Sequence, residues 1–353
     1  MTRHDIADAV RDDRPAQIAD SLSGLAPTVR TVASASLPRW DRSLPVALCT
    51  AAGTVGFEAV DRDDPTRPGP TSVEHLLEPV AGATALLEGY VRLRLALVVG
   101  DDDSDTDTGV RDGSTALAAS RSDWLPPLLE RIQSPTDRDT AILASDHLHA
   151  SAYTMIADAP VSDRTRLDLY RALTSGSTAL ARGCLRGDGD GGGVGDIDVD
   201  GDRSSSSPKQ RGESRTPDVI GVEATLAKTA GRLGAAVVGA PAETRTALGT
   251  YSHALMSALA SRTAVDTAVN HRSDAVEALV GESTRESGAA NRETADVEID
   301  SRVERHLERA RDAIASLADA IGTDAPAAEE RATDPAPLER LERATRLSGG
   351  RRG

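Results

Sequence analysis

Between residues 139 and 184, apolar residues recur at third and fourth positions. They fall at 142, 143, 148, 152, 153, 155 and 156, a spacing that gathers side chains on one face of a helix. Small residues at 144, 145, 150, 151 and 152 leave room for a neighbouring helix to come close. Pro160 breaks the pattern, because a proline inside a helix removes a hydrogen bond and clashes with the turn before it. A second helix, from about Asp163 to Leu185, then runs back antiparallel to the first.

The same periodicity predicts further helices along the chain. Two lie over 4–26 and 28–36, broken at Pro27, and a third runs from a Ser72 cap to about Val99. A short one follows Trp124, and others begin near Val222, Ala247, Arg302 and Pro337. No segment sustains alternation with a period of two, so the fold class is all-α with negligible β structure.

Three polar stretches interrupt the helical pattern: an acidic loop over 101–115, a Gly/Asp/Ser insert over 186–217, and a polar insert over 281–299. The composition of the two inserts cannot bury enough apolar surface to offset the entropy of ordering, so they read as disordered, and with the acidic loop they interrupt one all-α domain spanning 1–353.

Charge narrows the partners. The chain carries 56 acidic against 40 basic residues, a net charge of −16, and only two of the basic residues, Lys209 and Lys228, are lysines. An acid-rich, lysine-poor, aromatic-poor surface suits a halophilic cytosol at molar salt, where charge keeps the protein hydrated. Acidic clusters are therefore background, and each loses value as a sign of a metal site. Nucleic acid is excluded as a partner, since phosphate backbones need clustered Lys and Arg. Apolar runs fall far short of the ~20 residues a membrane span requires. The N-terminal Met-Thr-Arg-His-Asp leads into an acidic amphipathic segment unlike a secretion signal, so a soluble cytoplasmic protein is the expectation. Cys49 and Cys184 lack metal-type spacing.

Four segments carry a family resemblance. Ala141 to Tyr153 reads A-I-L-A-S-D-H-L-H-A-S-A-Y, and Ala181-Arg182-Gly183-Cys184 closes the next helix. Val222 to Ala240 contains A-K-T-A followed by L-G-A and G-A, and Leu37 to Leu48 contains Arg39 and Arg42 ahead of a helix start. These segments resemble the trans-isoprenyl (polyprenyl) diphosphate synthases, over about residues 37 to 347. The resemblance implies an isoprenoid-synthase-like helical bundle around a central cavity. It also implies diphosphate-binding roles for Arg39, Arg42, Lys228 and Thr229.

That family binds Mg²⁺ through two aspartate-rich motifs, and the metal helps the allylic diphosphate to leave. Here an ungapped match through Pro79-Val80-Ala81 puts Leu95 and Ala96 at the first two aspartate positions. Counting on from Tyr251 puts Thr263, Ala264 and Thr267 at the second set, with Asp266 the one acid nearby. A shifted register offers Asp101, Asp102 and Asp105 as a D-D-x-x-D metal motif. The sequence thus reads as a polyprenyl diphosphate synthase homologue that has lost catalysis. It would act as a partner or regulatory subunit, in a homodimer or a heterodimer with an active prenyl synthase, or as an isoprenoid-binding protein. One alternative is an active Mg²⁺-dependent prenyltransferase using Asp101, Asp102 and Asp105 opposite Arg39, Arg42 and Lys228. Another is a helical scaffold unrelated to isoprenoids.

Overall fold

The computed structural model describes residues 16–60, 70–102, 124–185, 218–262, 265–281, 301–321 and 336–349. All regular structure there is helical, with no strand among the described residues. The helices are α1 (Ala16–Ser23), α2 (Pro27–Ser36), α3 (Leu44–Glu58), α4 (Pro70–Asp102), α5 (Leu125–Arg131) and α6 (Pro135–Asp158). They continue with α7 (Asp163–Leu185), α8 (Val219–Val237), α9 (Ala242–Ala260), α10 (Val265–Val280), α11 (Ser301–Ile321) and α12 (Pro337–Gly349). A single 3₁₀ turn, Trp40–Arg42, precedes α3.

Local chemistry sets several boundaries. Ser134 accepts the Asp137 backbone N–H at 3.2 Å while the Asp137 carboxylate accepts back from Ser134, a reciprocal cap that starts α6. Ser43 caps α3 by accepting from Val46, and Asp218 caps α8 by accepting from Gly221 at 2.9 Å. Gly239, at φ +77°, turns the chain out of α8 in a conformation that residues with a Cβ rarely adopt. The start of α4 differs from expectation. The helix is already under way at Pro70, so Ser72 lies within its first turn and is not its cap.

The centre of the bundle is α8, rather than the pair over 139–184 on which the sequence pattern is clearest. Thirteen of its nineteen residues are buried, and it packs against α3, α4, α7 and α9. Its Ala- and Gly-rich faces make such crowding possible. A Cβ added to Gly234 would lie 1.9 Å from the Cys49 carbonyl oxygen of α3, so the two backbones meet with no room between them. The second central helix is α4, in which every residue from 79 to 91 is buried. Farther out, α12 is tied to α9 where the Tyr251 hydroxyl donates to the Leu341 carbonyl at 2.9 Å.

The α6 face also differs from the reading of its apolar residues. Ile142 and Leu143 are 38% and 60% exposed, whereas Ala141, Ala144, Ser145, Leu148 and Ala152 are buried. The face packed on α4 carries the small residues, which let the two helices come close. Its main neighbour is α4, with α7 making fewer contacts.

The inserts over 186–217 and 282–299 lie outside the described residues, as do Asp103 and Asp105, Thr263 and Ala264. Asp101 and Asp102 form the last helical positions of α4. Among the described residues, no helix is long and apolar enough to cross a membrane.

Candidate functional site

The stretch between α2 and α3 places the exposed Arg39 and Arg42 at the mouth of a cavity of about 230 Å³. From α4 come Glu88, Val91 and Arg92; from α8, Glu223 and Leu226; from α9, Met256; and from α10, Arg272. Trp124, at the start of α5, and Leu44 complete much of the wall. The lining therefore combines paired ionic groups with hydrocarbon.

The two carboxylates inside it are already engaged. Glu88, only 6% exposed, accepts from Arg92 at 2.6 Å through Oε1 and from the Ser43 hydroxyl at 2.6 Å through Oε2. Glu223, 9% exposed, receives both terminal nitrogens of Arg272, at 3.5 Å and 2.5 Å. Such pairing is what allows carboxylates to persist at this burial. The Arg92 guanidinium also lies 5.5 Å from the Trp124 ring centroid, a cation–π contact that fixes its plane. At the mouth, Asp41 takes Arg39 at 3.1 Å and stands 4.0 Å from Arg42, with both arginines largely exposed. The lining holds four guanidiniums against two carboxylates, and Asp41 offsets part of the surplus from outside.

The residues named from sequence separate into three places. Arg39 and Arg42 line the cavity. Lys228 and Thr229 do not. At ~100° per residue, Lys228 projects from the side of α8 opposite Glu223 and Leu226. It belongs to a basic cluster with Arg232 on its own helix, His253 on α9, and His306 and Arg309 on α11. Desolvation, then the Arg232 charge, lowers the Lys228 pKa. Thr229 is buried, donates to the Thr225 carbonyl at 2.9 Å and packs over Gly176 of α7. The third place is the end of α4: Asp101 follows Arg92 by nine residues, about 13 Å along the helix.

Leu95 and Ala96 are fully buried in the core and present hydrocarbon only. The described residues of the cavity do not suit Mg²⁺. Each carboxylate oxygen in the lining already accepts from an arginine or Ser43, and a divalent cation on either carboxylate would stand beside that guanidinium, a like charge that disfavours it. Nor, among the described residues, do three or more His, Cys, Asp or Glu side chains gather closely enough to hold a metal ion.

Sequence reading missed Glu88, Glu223 and Arg272 as parts of a site. The available signal was a lone glutamate inside each of two otherwise uncharged helical stretches, Leu86 to Val91 and Val222 to Ala227. A charge in such a place needs a partner, but sequence does not name one 49 residues away.

No family model matches the chain, and no curated protein matches it. Among solved structures, the chain is similar to a geranylgeranyl pyrophosphate synthetase from Pyrococcus horikoshii, at 13% identity and a TM-score of 0.46. That likeness covers 95% of this chain and 94% of the other.

Proposed function

We propose that the chain is a non-catalytic homologue of the polyprenyl diphosphate synthases that binds a short isoprenoid diphosphate in the arginine-lined cavity. The observation that carries this reading is the meeting, in one cavity, of four guanidiniums with an apolar wall that includes Leu44, Val91, Leu226 and Met256. An anionic head on a hydrocarbon tail answers both halves. Guanidiniums grip phosphate oxygens through paired, charge-assisted hydrogen bonds, and the tail gains by leaving water. At ~30 Å³ for each water-sized group, the 230 Å³ cavity holds about seven or eight such groups, the scale of a diphosphate head with little of its tail. A longer tail must leave through the mouth. The prenyl identity of the tail rests on the resemblance of 141–153 and 222–240. Loss of turnover rests on Leu95 and Ala96, which bring no oxygen to a metal.

Trp124 supplies the test, since it lines the cavity and the chain has one other tryptophan. Titration with geranyl diphosphate should change tryptophan emission and bind more tightly than either inorganic pyrophosphate or geraniol. Arg39→Ala and Arg42→Ala should each weaken binding by about tenfold, as a hydrogen bond to a charged group contributes ~1.5 kcal/mol. With Mg²⁺ and labelled isopentenyl diphosphate, no chain-elongated product should form. Absence of binding, or binding indifferent to both arginines, would sink the ligand assignment; product formation would sink the non-catalytic one.

A further inference from the structure

We infer that this cavity holds its diphosphate with guanidinium groups alone, and that Mg²⁺ competes with the protein for the ligand instead of bridging the two. The inference rests on the ligand class proposed above and concerns how that ligand is held. Arg92 projects from α4 and Arg272 from α10, so the two wall arginines face the cavity from different helices, with Arg39 and Arg42 at the mouth. Among the described residues of the lining, a diphosphate entering here meets guanidiniums from more than one element, and both carboxylates are already paired.

The carboxylates are poor sites for a metal because each is already paired with a guanidinium. Glu88 uses one oxygen for Arg92 and the other for Ser43, and Glu223 uses both for Arg272. Mg²⁺ on either carboxylate would stand close to the guanidinium paired with it and weaken that pairing, since like charges at such range repel. Charge points the same way. A fully ionised diphosphate ester carries about three negative charges and its Mg²⁺ complex about one, so complexation removes most of what the arginines attract. The Trp124 ring and the Glu88 carboxylate also hold the Arg92 guanidinium in place before the ligand arrives. Preorganised donors of that kind lose little freedom on binding.

The experiment is titration of the full-length protein with geranyl diphosphate and with inorganic pyrophosphate, by calorimetry and tryptophan emission, once in EDTA and once in excess Mg²⁺. The expected result is binding in EDTA that weakens by about tenfold when Mg²⁺ is added. In EDTA, Arg92→Gln and Arg92→Lys should each lose affinity, because lysine restores the charge without the planar pair of donors. Binding that appears only with Mg²⁺ overturns this inference and leaves the ligand assignment standing. Equal affinity in both conditions also overturns it, since competition requires a difference. No binding in either condition overturns the ligand assignment, and this inference with it.

Discussion

Arg272 and Glu223 are 49 residues apart in sequence and joined by two hydrogen bonds at the cavity wall. Removing one member of such a pair leaves a charge with little access to water. Arg272→Ala should therefore destabilise the fold by about 2 kcal/mol, below the ~3–5 typical of fully buried pairs because the guanidinium retains some solvent contact. The double variant Arg272→Ala/Glu223→Gln should recover part of that loss in urea unfolding, and a strictly additive double variant would contradict the pairing. Gly234 makes a separate prediction. An alanine there must push against the Cys49 backbone, so Gly234→Ala should cost about 1–3 kcal/mol despite the better helix propensity of alanine. Neither residue was legible as a contact in the sequence. Glu223 and Gly234 entered the sequence reading only as members of the 222–240 segment that carries the resemblance.

At the scale of helices, sequence does better where chain-local physics decides. Pro160 separates α6 from α7 as expected, and α7 occupies the span read from its periodicity. It does worse where packing decides, as on α6, where the buried stripe follows Ala144, Ser145 and Leu148 and leaves Leu143 in water. The junction of α8, α9 and α11 carries its own prediction. Burial, then the charges of Lys228, His306 and Arg309, lowers the pKa of His253 from its ordinary 6.5. Burial, then neighbouring arginines, lowers that of His306. The folded state thus holds these rings neutral at a pH where the unfolded chain protonates them. Their stabilising contribution is complete above about pH 6.5 and is lost as pH falls toward the lowered folded values. Between pH 6.5 and 5, where most carboxylates have yet to titrate, the melting temperature should drop by roughly a few degrees. His253→Gln should flatten that slope in thermal scans, and an unchanged slope would show that the titration lies elsewhere.

Over the whole molecule, the −16 net charge and the cationic cavity respond to salt in opposite directions. The all-helical class was legible because no stretch alternates. The cavity was not, because its walls come from α3, α4, α8, α9 and α10 and from contacts such as Ser43–Glu88 across 45 residues. Sixteen excess negative charges repel one another through solvent. Raising KCl from 0.1 M to 1 M shortens the screening length from ~10 Å to ~3 Å, which removes most of that repulsion. The same screening weakens the surface ion pairs, but exposed pairs such as Arg39–Asp41 and Arg346–Glu342 contribute only ~0–1 kcal/mol each. Repulsion outweighs them, so the urea midpoint should climb with KCl over this range. Affinity for a diphosphate should fall over the same range, because the attraction between guanidiniums and phosphate is screened and chloride competes for the arginines. Paired urea and ligand titrations at both salt concentrations separate the two effects. A midpoint that falls with KCl would mean that specific ion pairs, and not net repulsion, dominate the surface. Affinity that rises with KCl would move the main contribution to binding from the arginines to the apolar wall.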